Sequence, residues 1–275
     1  MTVGPPGPVG AGTVTVVGLG PGDAGTCTPD VVERLRQATD LVGYGPYLAL
    51  VAAAAPAGAG GRRHHASDNR EEAARARLAL DLAAEGRRVA VVSSGDPGVF
   101  AMAAAVMEQL DGEADRSGIG CWDRVSVEVL PGVSAAQAAA ARAGAPLGHD
   151  FCVISLSDNL KPWEVVERRL DAAAAADFVI ALYNPASRQR PWQLGRAAAV
   201  VLTHRDPGTP VVIGRDIARP GERVEVVRLS ELADAAVDMR SVVIVGSSTT
   251  RCFTPATGPA RVYTPRRYPA PASPT

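Results

Sequence analysis

TVTVVGLGPGDAGTCTP, residues 13–29, and VAVVSSGDPGVFAMAAAVMEQL, residues 89–110, decide the fold of this chain. Each begins with a valine-rich run, passes through a turn of glycine and proline, and continues into a stretch of helical composition. In the first, residues 13–18 read as a buried strand, and Thr28 stands where it can cap a helix that has Pro29 at its first position. In the second, the strand covers residues 89–92, and Pro97 reads as the start of the helix. Valine-rich strands alternating with helices pair in parallel, because the crossover helices then cover both faces of the sheet. The expected fold class is α/β.

The same events recur outward from these two blocks. A short strand is expected at residues 40–43, and a helix over residues 70–85 stops at Gly86. A strand ending at Leu130 runs into the turn PGVSA and a short helix that reaches residue 143. Further strands are expected at residues 151–155, 178–183, 210–214, 224–228 and 241–245, with helices near 162–176 and 192–204. GERVEVVRLSELAD reads as a strand and a short capped helix, which makes part of the second half mixed or antiparallel. The organisation is a flexible leader over 1–12, an N-terminal α/β domain over 13–125, a C-terminal α/β domain over 126–252 and a largely unpacked proline-rich tail over 253–275. GAGGRRHHASDN, residues 58–69, reads as a loop without an assigned role.

Composition narrows the function classes. The 275 residues carry 28 Lys plus Arg against 29 Asp plus Glu, a net charge of -1, and 4% aromatics. Neither a nucleic-acid backbone nor an anionic membrane is attracted by such a balance. The alanine-rich run at 48–60 is too short to span a bilayer and is broken by Pro56 and Gly58. Cys27, Cys121, Cys152 and Cys252 are widely spaced with no CxxC pair, as in a reduced cytoplasmic protein. With no HExxH and no cysteine cluster, no metal site is expected.

The candidate chemistry sits in the turns after the strands. GLGPGD, residues 18–23, has Asp23 where a dinucleotide fingerprint needs its third glycine, so a Rossmann site is disfavoured. The turn still presents backbone groups at the carboxyl edge of a parallel sheet, where α/β proteins bind ligands. SSGDPG, residues 93–98, places the Asp96 carboxylate at the same kind of edge, although an N-cap would also account for it. In PGVSA, Ser134 can cap a helix or offer its hydroxyl to a ligand. ALYNPASRQRPW joins an aromatic ring and an amide to Arg188 and Arg190, which suits a heterocycle bearing carboxylates; a solvated loop would look the same. In VVIGRDIARPGE, Gly214 lets the backbone approach a ligand, and Arg215 with Asp216 fits either a site or an internal ion pair. His64 and His65 are adjacent and so diverge on a strand or a helix.

Taken together, residues 13–29, VVSSGDPGVFAMA, VEVLPGVSAAQ, LSDNLKPW, YNPASRQR and VVIGRDIARPGE resemble the tetrapyrrole (corrin/porphyrin) methyltransferases over residues 13–252. LSDNLKPW and YNPASRQR point to the branch that methylates carbon 17 of precorrin-3B in its oxidised lactone form, with ring contraction, in cobalamin biosynthesis. The resemblance implies two α/β domains with a cofactor cleft between them, a homodimer, and S-adenosyl-L-methionine as methyl donor, released as S-adenosyl-L-homocysteine. It places Gly95, Asp96, Val99, Ser134, Ala135, Tyr183, Asn184, Gly214, Arg215 and Asp216 at the cofactor. It places Pro21, Lys161, Arg188 and Arg190 at a small-molecule tetrapyrrole substrate. Ring contraction needs an acid/base group, for which Asp96, Asp23, His64 and His65 are the candidates. The alternatives are the cobalt-containing C17 step, another precorrin methyltransferase, and a non-catalytic tetrapyrrole-binding regulator.

Overall fold

Val14, Val16 and Val17 are wholly excluded from solvent in β1 (Thr13–Gly18), as a strand covered on both faces requires. The computed structural model describes residues 12–56, 61–68, 70–117 and 122–268. It divides into two compact units, Met1–Ser134 and Ala135–Thr275.

In the first unit β1 is followed by α1 (Pro29–Gln37), β2 (Asp40–Tyr44), α2 (Gly45–Ala54) and β3 (Arg63–Ser67). Then come α3 (Glu72–Ala84), β4 (Arg88–Ser93), α4 (Met102–Ser117) and β5 (Ser126–Leu130). The five strands form one sheet in the order β3-β2-β4-β1-β5, all parallel. One face packs Val14, Val16, Val42, Val89 and Val91 under α3 and α4, and the other packs Val17, Leu41, Ala90 and Val92 with Val31, Leu35, Leu48 and Val51 of α1 and α2. Each of these valine and leucine side chains contributes roughly 1.5–3 kcal/mol by its burial. The Thr28 hydroxyl caps α1 by accepting the Val31 N–H at 3.4 Å, with Pro29 in the first turn.

The second unit holds α5 (Ala135–Ala143), β6 (Gly144–Ala145), β7 (Phe151–Ser155), α6 (Trp163–Ala175), β8 (Val179–Tyr183) and α7 (Gln193–Leu202). These are followed by β9 (Pro210–Arg215), β10 (Arg223–Arg228), β11 (Ser241–Val245), β12 (Arg251–Phe253) and β13 (Arg261–Tyr263). Its main sheet runs β10-β9-β11-β8-β7; β7 and β8 are parallel, and β11 runs antiparallel to both β8 and β9. β7, β8 and β9 therefore point the same way. The β9–β10 pair supplies the antiparallel part read from GERVEVVR.

Five expectations differ from the structure. The boundary expected at 125/126 falls after Ser134, because β5 pairs with β1 and so belongs to the first sheet. Residues 63–67 are an edge strand, not a loop, because β3 is paired on one side only and its polar sequence needs no apolar alternation. Residues 45–54, not read as an element, form α2 with Pro46 in its first turn. The tail is engaged as far as Tyr268: Val262 is fully buried in β13, which pairs with β6 and β12, the Thr264 hydroxyl donates to the Pro146 carbonyl at 2.6 Å, and the Tyr268 hydroxyl donates to Asp177 Oδ2 at 2.8 Å. Gly12, assigned to the leader, is buried, and its carbonyl accepts the Ser126 N–H at 3.3 Å. Residues 1–11 and 269–275, the rest of leader and tail, lie outside the described residues, as does Cys121.

Candidate functional site

In the first unit β1, β4 and β5 end at one edge, and their turns lock together backbone to backbone. The Gly20 N–H donates to the Gly95 carbonyl at 3.2 Å, and the Gly95 N–H returns to the Gly20 carbonyl at 2.7 Å. Both glycines have φ near +70°, the left-handed region that other residues avoid. A Cβ on Gly18 would lie 2.5 Å from the Gly95 carbonyl oxygen, and one on Gly132 would lie 2.3 Å from that same atom. Asp96 braces this assembly: Oδ1 accepts the Gly98 N–H at 2.8 Å and Oδ2 accepts the Gly132 N–H at 3.1 Å. The carboxylate caps no helix, since α4 begins only at Met102, and Pro97 likewise lies ahead of it. Both oxygens of Asp96 serve the backbone, which sets it apart from a free acid/base group.

Asp23 is exposed. Its Oδ1 accepts the Gly25 N–H at 2.9 Å and its carbonyl accepts the Thr26 hydroxyl at 2.6 Å, closing a short 3-10 turn. Oδ2 takes no part in that turn. Pro21 is buried beside it, and Val99 is half-buried, its N–H on the Asp96 carbonyl at 3.2 Å. Ser134, buried, closes the first unit.

In the second unit β7, β8 and β9 end at a common edge that is built from side chains. Tyr183, the last residue of β8, accepts the Ala136 N–H on its hydroxyl at 2.9 Å, so it holds the first turn of α5, where Ala135 begins. Asn184 follows with φ +53°, its Nδ2 donating to Ser155 Oγ at 2.9 Å from the end of β7. Asp216, directly after β9, has φ +49°. Non-glycine residues held in this region cost about 1 kcal/mol or more and concentrate at functional sites. Their place, one residue beyond two parallel strands, is where α/β proteins bind ligands.

Of the readings after β9, one is corrected and one is extended. Gly214 makes room for α5 rather than for a ligand, because a Cβ there would lie 2.8 Å from the Ala139 Cβ. Arg215 and Asp216 are not a simple pair: they belong to a closed ring of four charges. Arg215 meets Asp238 at 2.8 Å, Asp238 meets Arg240 at 3.6 Å, Arg240 meets Asp216 at 3.4 Å, and Asp216 returns to Arg215 at 3.7 Å. Burial pushes the Asp238 carboxyl up, but hydrogen bonds from Arg215, the Arg240 N–H and Ser241 hold it below the usual range. The ring neutralises itself and leaves no unbalanced charge for a ligand to meet.

The histidines stand elsewhere. His65 Nε2 contacts Asp40 Oδ1 at 2.9 Å, and Asp40, with no exposed surface, opens β2 at the amino edge of the sheet, opposite the glycine turns. Arg63 and Arg87 share that carboxylate at 2.9 and 3.3 Å, so His65 is part of a structural ion cluster. His64 is exposed on the other face of β3. Neither stands with the carboxyl-edge turns, which removes the ground for a catalytic role. Arg190 is also reassigned. Its guanidinium is buried, donating to the Asn184 carbonyl at 3.4 Å and the Met239 sulfur at 3.3 Å, with Nε 4.0 Å from Asp158 Oδ1, so it struts its own loop. Arg188 is exposed; Lys161 is half-buried, its ammonium lowered in proton affinity by burial and by the charge of Arg169.

Sequence reasoning missed Ser155, Gln193, Asp238 and Arg240, each meeting its partner from a distant segment with no local pattern to mark it. Asp158, Oδ2 of which accepts from Gln193 Nε2 at 3.2 Å, does lie inside the LSDNLKPW block. Among the described residues no three His, Cys, Asp or Glu side chains gather to hold a metal, and no helix is long and apolar enough to cross a membrane. Burial raises the Cys152 thiol to about 11 and raises Cys27 as well, so neither is an activated nucleophile.

A parallel sheet and a mixed sheet, each with its candidate residues at the carboxyl ends of parallel strands, define an α/β ligand-binding class. The sequence pattern of the Tetrapyrrole (Corrin/Porphyrin) Methylases matches residues 13–233, and the chain belongs to that family. It is 55% identical over 262 residues to the cobalamin biosynthesis protein CobIJ of Mycobacterium tuberculosis, covering 94% of this chain and 49% of that protein. The chain thus spans about half the length of that relative. It is 50% identical over 257 residues to the precorrin-3B C(17)-methyltransferase of Sinorhizobium sp, covering 94% of this chain and 97% of the relative. The crystal structure of the methyltransferase CobJ superposes with a TM-score of 0.81 at 48% identity, over 93% of this chain and all of that one.

Proposed function

We propose that this chain transfers a methyl group from S-adenosyl-L-methionine to carbon 17 of precorrin-3B in its oxidised lactone form, with contraction of the ring, in cobalamin biosynthesis. The reading includes a homodimer in the cytoplasm. The observation that carries it is the identity of 50% to the Sinorhizobium enzyme across nearly the whole of both chains.

The residues present fit a sulfonium cofactor. The turns of the first unit are built from uncharged glycine backbone, Asn184 and Tyr183 of the second are neutral polar side chains, and the Arg215 charge is cancelled within its ring. Neither set, taken by itself, places an unbalanced cation against a positive sulfonium. When bound, the cofactor supplies an electrophilic methyl group, and the electron-rich macrocycle supplies the carbon nucleophile, so no metal or covalent protein intermediate is needed. The protein's work is to align the two centres and exclude water. Gly95, Asp96, Val99, Ser134, Ala135, Tyr183, Asn184 and Gly214 to Asp216 form or support the cofactor contacts in this reading. Gly214 and Asp96 act through the backbone they shape.

Ring contraction requires a proton to leave a ring hydroxyl. Of the four candidate groups, Asp96 is tied by both oxygens, His65 is tied to Asp40 and His64 lies on β3 away from the turns. Asp23, exposed beside Pro21 with Oδ2 outside its turn, is the group left for that proton. The test is anaerobic incubation with oxidised precorrin-3B and methyl-labelled cofactor, read by mass spectrometry and absorbance of the macrocycle. One labelled methyl with the spectrum of a contracted ring supports the whole reading. Label without contraction removes the Asp23 step. No label, with adenosylhomocysteine still bound, overturns this substrate in favour of the cobalt-containing one.

A further inference from the structure

The blocks 156–163 and 183–192 converge where β7 and β8 end. Trp163 and Trp192 stack edge to face with centroids 4.8 Å apart. Trp163 is oriented by its Nε1–H, which donates to Glu167 Oε2 at 3.1 Å one turn along α6. The loops are tied to each other by Gln193 on Asp158 at 3.2 Å and by Arg190 near the same carboxylate. Despite this rigid seating, Trp192 is 47% exposed and Leu160 is 91% exposed. An aromatic pair seated firmly and yet left half in water, with an exposed leucine three residues before Trp163 in the chain, marks a binding surface.

Charge tells what the surface fits. Lys161 lies between Leu160 and Trp163 in the chain, near enough to Arg169 for the two cations to repel. Arg188 makes no ion pair among the described residues. Asp158 and Glu167, the carboxylates bonded into this cluster, are already engaged, Glu167 with Arg196 at 2.6 Å as well. A second copy of the chain is a poor occupant, since a two-fold contact would set these cations against themselves.

We propose that Trp192, Trp163 and Leu160 form a platform for one face of a cyclic tetrapyrrole, with Arg188 and Lys161 holding its peripheral carboxylates, so that this surface selects the substrate. The inference rests on the tetrapyrrole reading of the preceding subsection. Indole rings offer rigid area to a flat conjugated ring at little entropic cost, and a guanidinium binds a carboxylate through two parallel hydrogen bonds.

The test titrates the full chain with uroporphyrin, a stable tetrapyrrole polycarboxylate, and separately with adenosylhomocysteine. Trp192→Ala is expected to weaken uroporphyrin about tenfold while Trp192→Phe retains most of the affinity. Arg188→Glu is expected to weaken it by a similar factor and to flatten its dependence on salt. Adenosylhomocysteine binding stays as in the parent, and the melting temperature falls by a few degrees at most, no more than the loss of one aromatic pair accounts for. Three outcomes overturn the proposal: no uroporphyrin binding by the parent, equal binding by all variants, or Trp192→Ala turning a dimer into a monomer with uroporphyrin affinity kept. The two readings fail separately. Absence of methyl transfer to precorrin-3B with Trp192-dependent porphyrin binding sinks only the reaction, whereas transfer with an unchanged substrate KM in Trp192→Ala sinks only the platform.

Discussion

The carboxyl edges of the two sheets are made of different material. In the first unit the turns after β1, β4 and β5 meet through main-chain atoms, with Gly18 and Gly132 so close to the Gly95 carbonyl that a side chain on either has no room. In the second unit the corresponding edge is held by side chains: Ser155 on Asn184, Tyr183 on α5, and four alternating charges around Arg215. A backbone-built edge fails abruptly when an atom is added. A side-chain-built edge loses function by degrees, one hydrogen bond at a time.

The sharpest way to break this contrast is Gly132→Ala. Its Cβ would lie 2.3 Å from a carbonyl oxygen that is itself fixed by Gly20, so the turns must part. We expect a loss of about 3 kcal/mol in urea unfolding and no measurable adenosylhomocysteine binding. Gly45→Ala, where nothing lies within 4 Å, should stay within about 0.5 kcal/mol of the parent. Similar values for the two variants would mean that the turns are not rigid.

This contrast also explains what could be read in advance. The first unit was legible because its edge is local: GLGPGD and SSGDPG each state their own turn, and the valine runs before them state the strands. The order of the strands was not, since no residue of β3 announces that it pairs with β2. The second unit kept its fold class legible through the run of strands, but its site depends on partners such as Ser155 and Asn184 or Arg215 and Asp238, which no spacing rule connects. Gly214 was misread for a related reason, as a glycine admits a helix as readily as a ligand.

The amino edges, by contrast, resemble each other, and each is anchored by an acid among cations and hydroxyls. Burial pushes the Asp40 carboxyl up, yet hydrogen bonds from His65, Thr39 and Arg63 and the charge of Arg63 bring it down to about 2 from its usual 3.8. The folded protein therefore holds this proton less tightly than the unfolded chain. The stability gained, about 2 kcal/mol, is complete above roughly pH 4 and is lost as the pH falls through 2. Asp177 shifts the same way: burial raises it, while Ser248, Tyr268 and Arg205 outweigh that effect. Acid unfolding of Asp40→Asn should show a correspondingly shallower dependence on pH, and an unchanged acid limb would show that the cluster does not couple to folding.

Asp96→Ala comes next in size. It strips acceptors from the Gly98 and Gly132 N–H groups and should cost about 1 to 2 kcal/mol. Asp96→Asn keeps one acceptor and should lie between. If Asp96 only braces, turnover in the two variants will follow adenosylhomocysteine affinity, and the pH profile of kcat will keep its shape. A lost limb in that profile would return Asp96 to acid/base chemistry.

Ser155→Ala is the mildest and the most informative for the second unit. Ser155 is buried, and its Oγ accepts both from Asn184 Nδ2 at 2.9 Å and from the Ser157 N–H at 3.2 Å. Removing it leaves the Asn184 carboxamide free to rotate while its backbone stays left-handed, so the expected loss of stability is about 1 kcal/mol. Because Asn184 stands at the edge assigned to the cofactor, the variant should raise the cofactor KM several-fold and leave kcat within about twofold, the pattern of lost uniform binding. Ser155→Thr, which restores the hydroxyl, should recover most of the affinity if the packing admits its methyl group. A fall in kcat at unchanged cofactor KM would place Asn184 at the reacting atoms instead. The side-chain-built edge would then do chemistry rather than hold the cofactor.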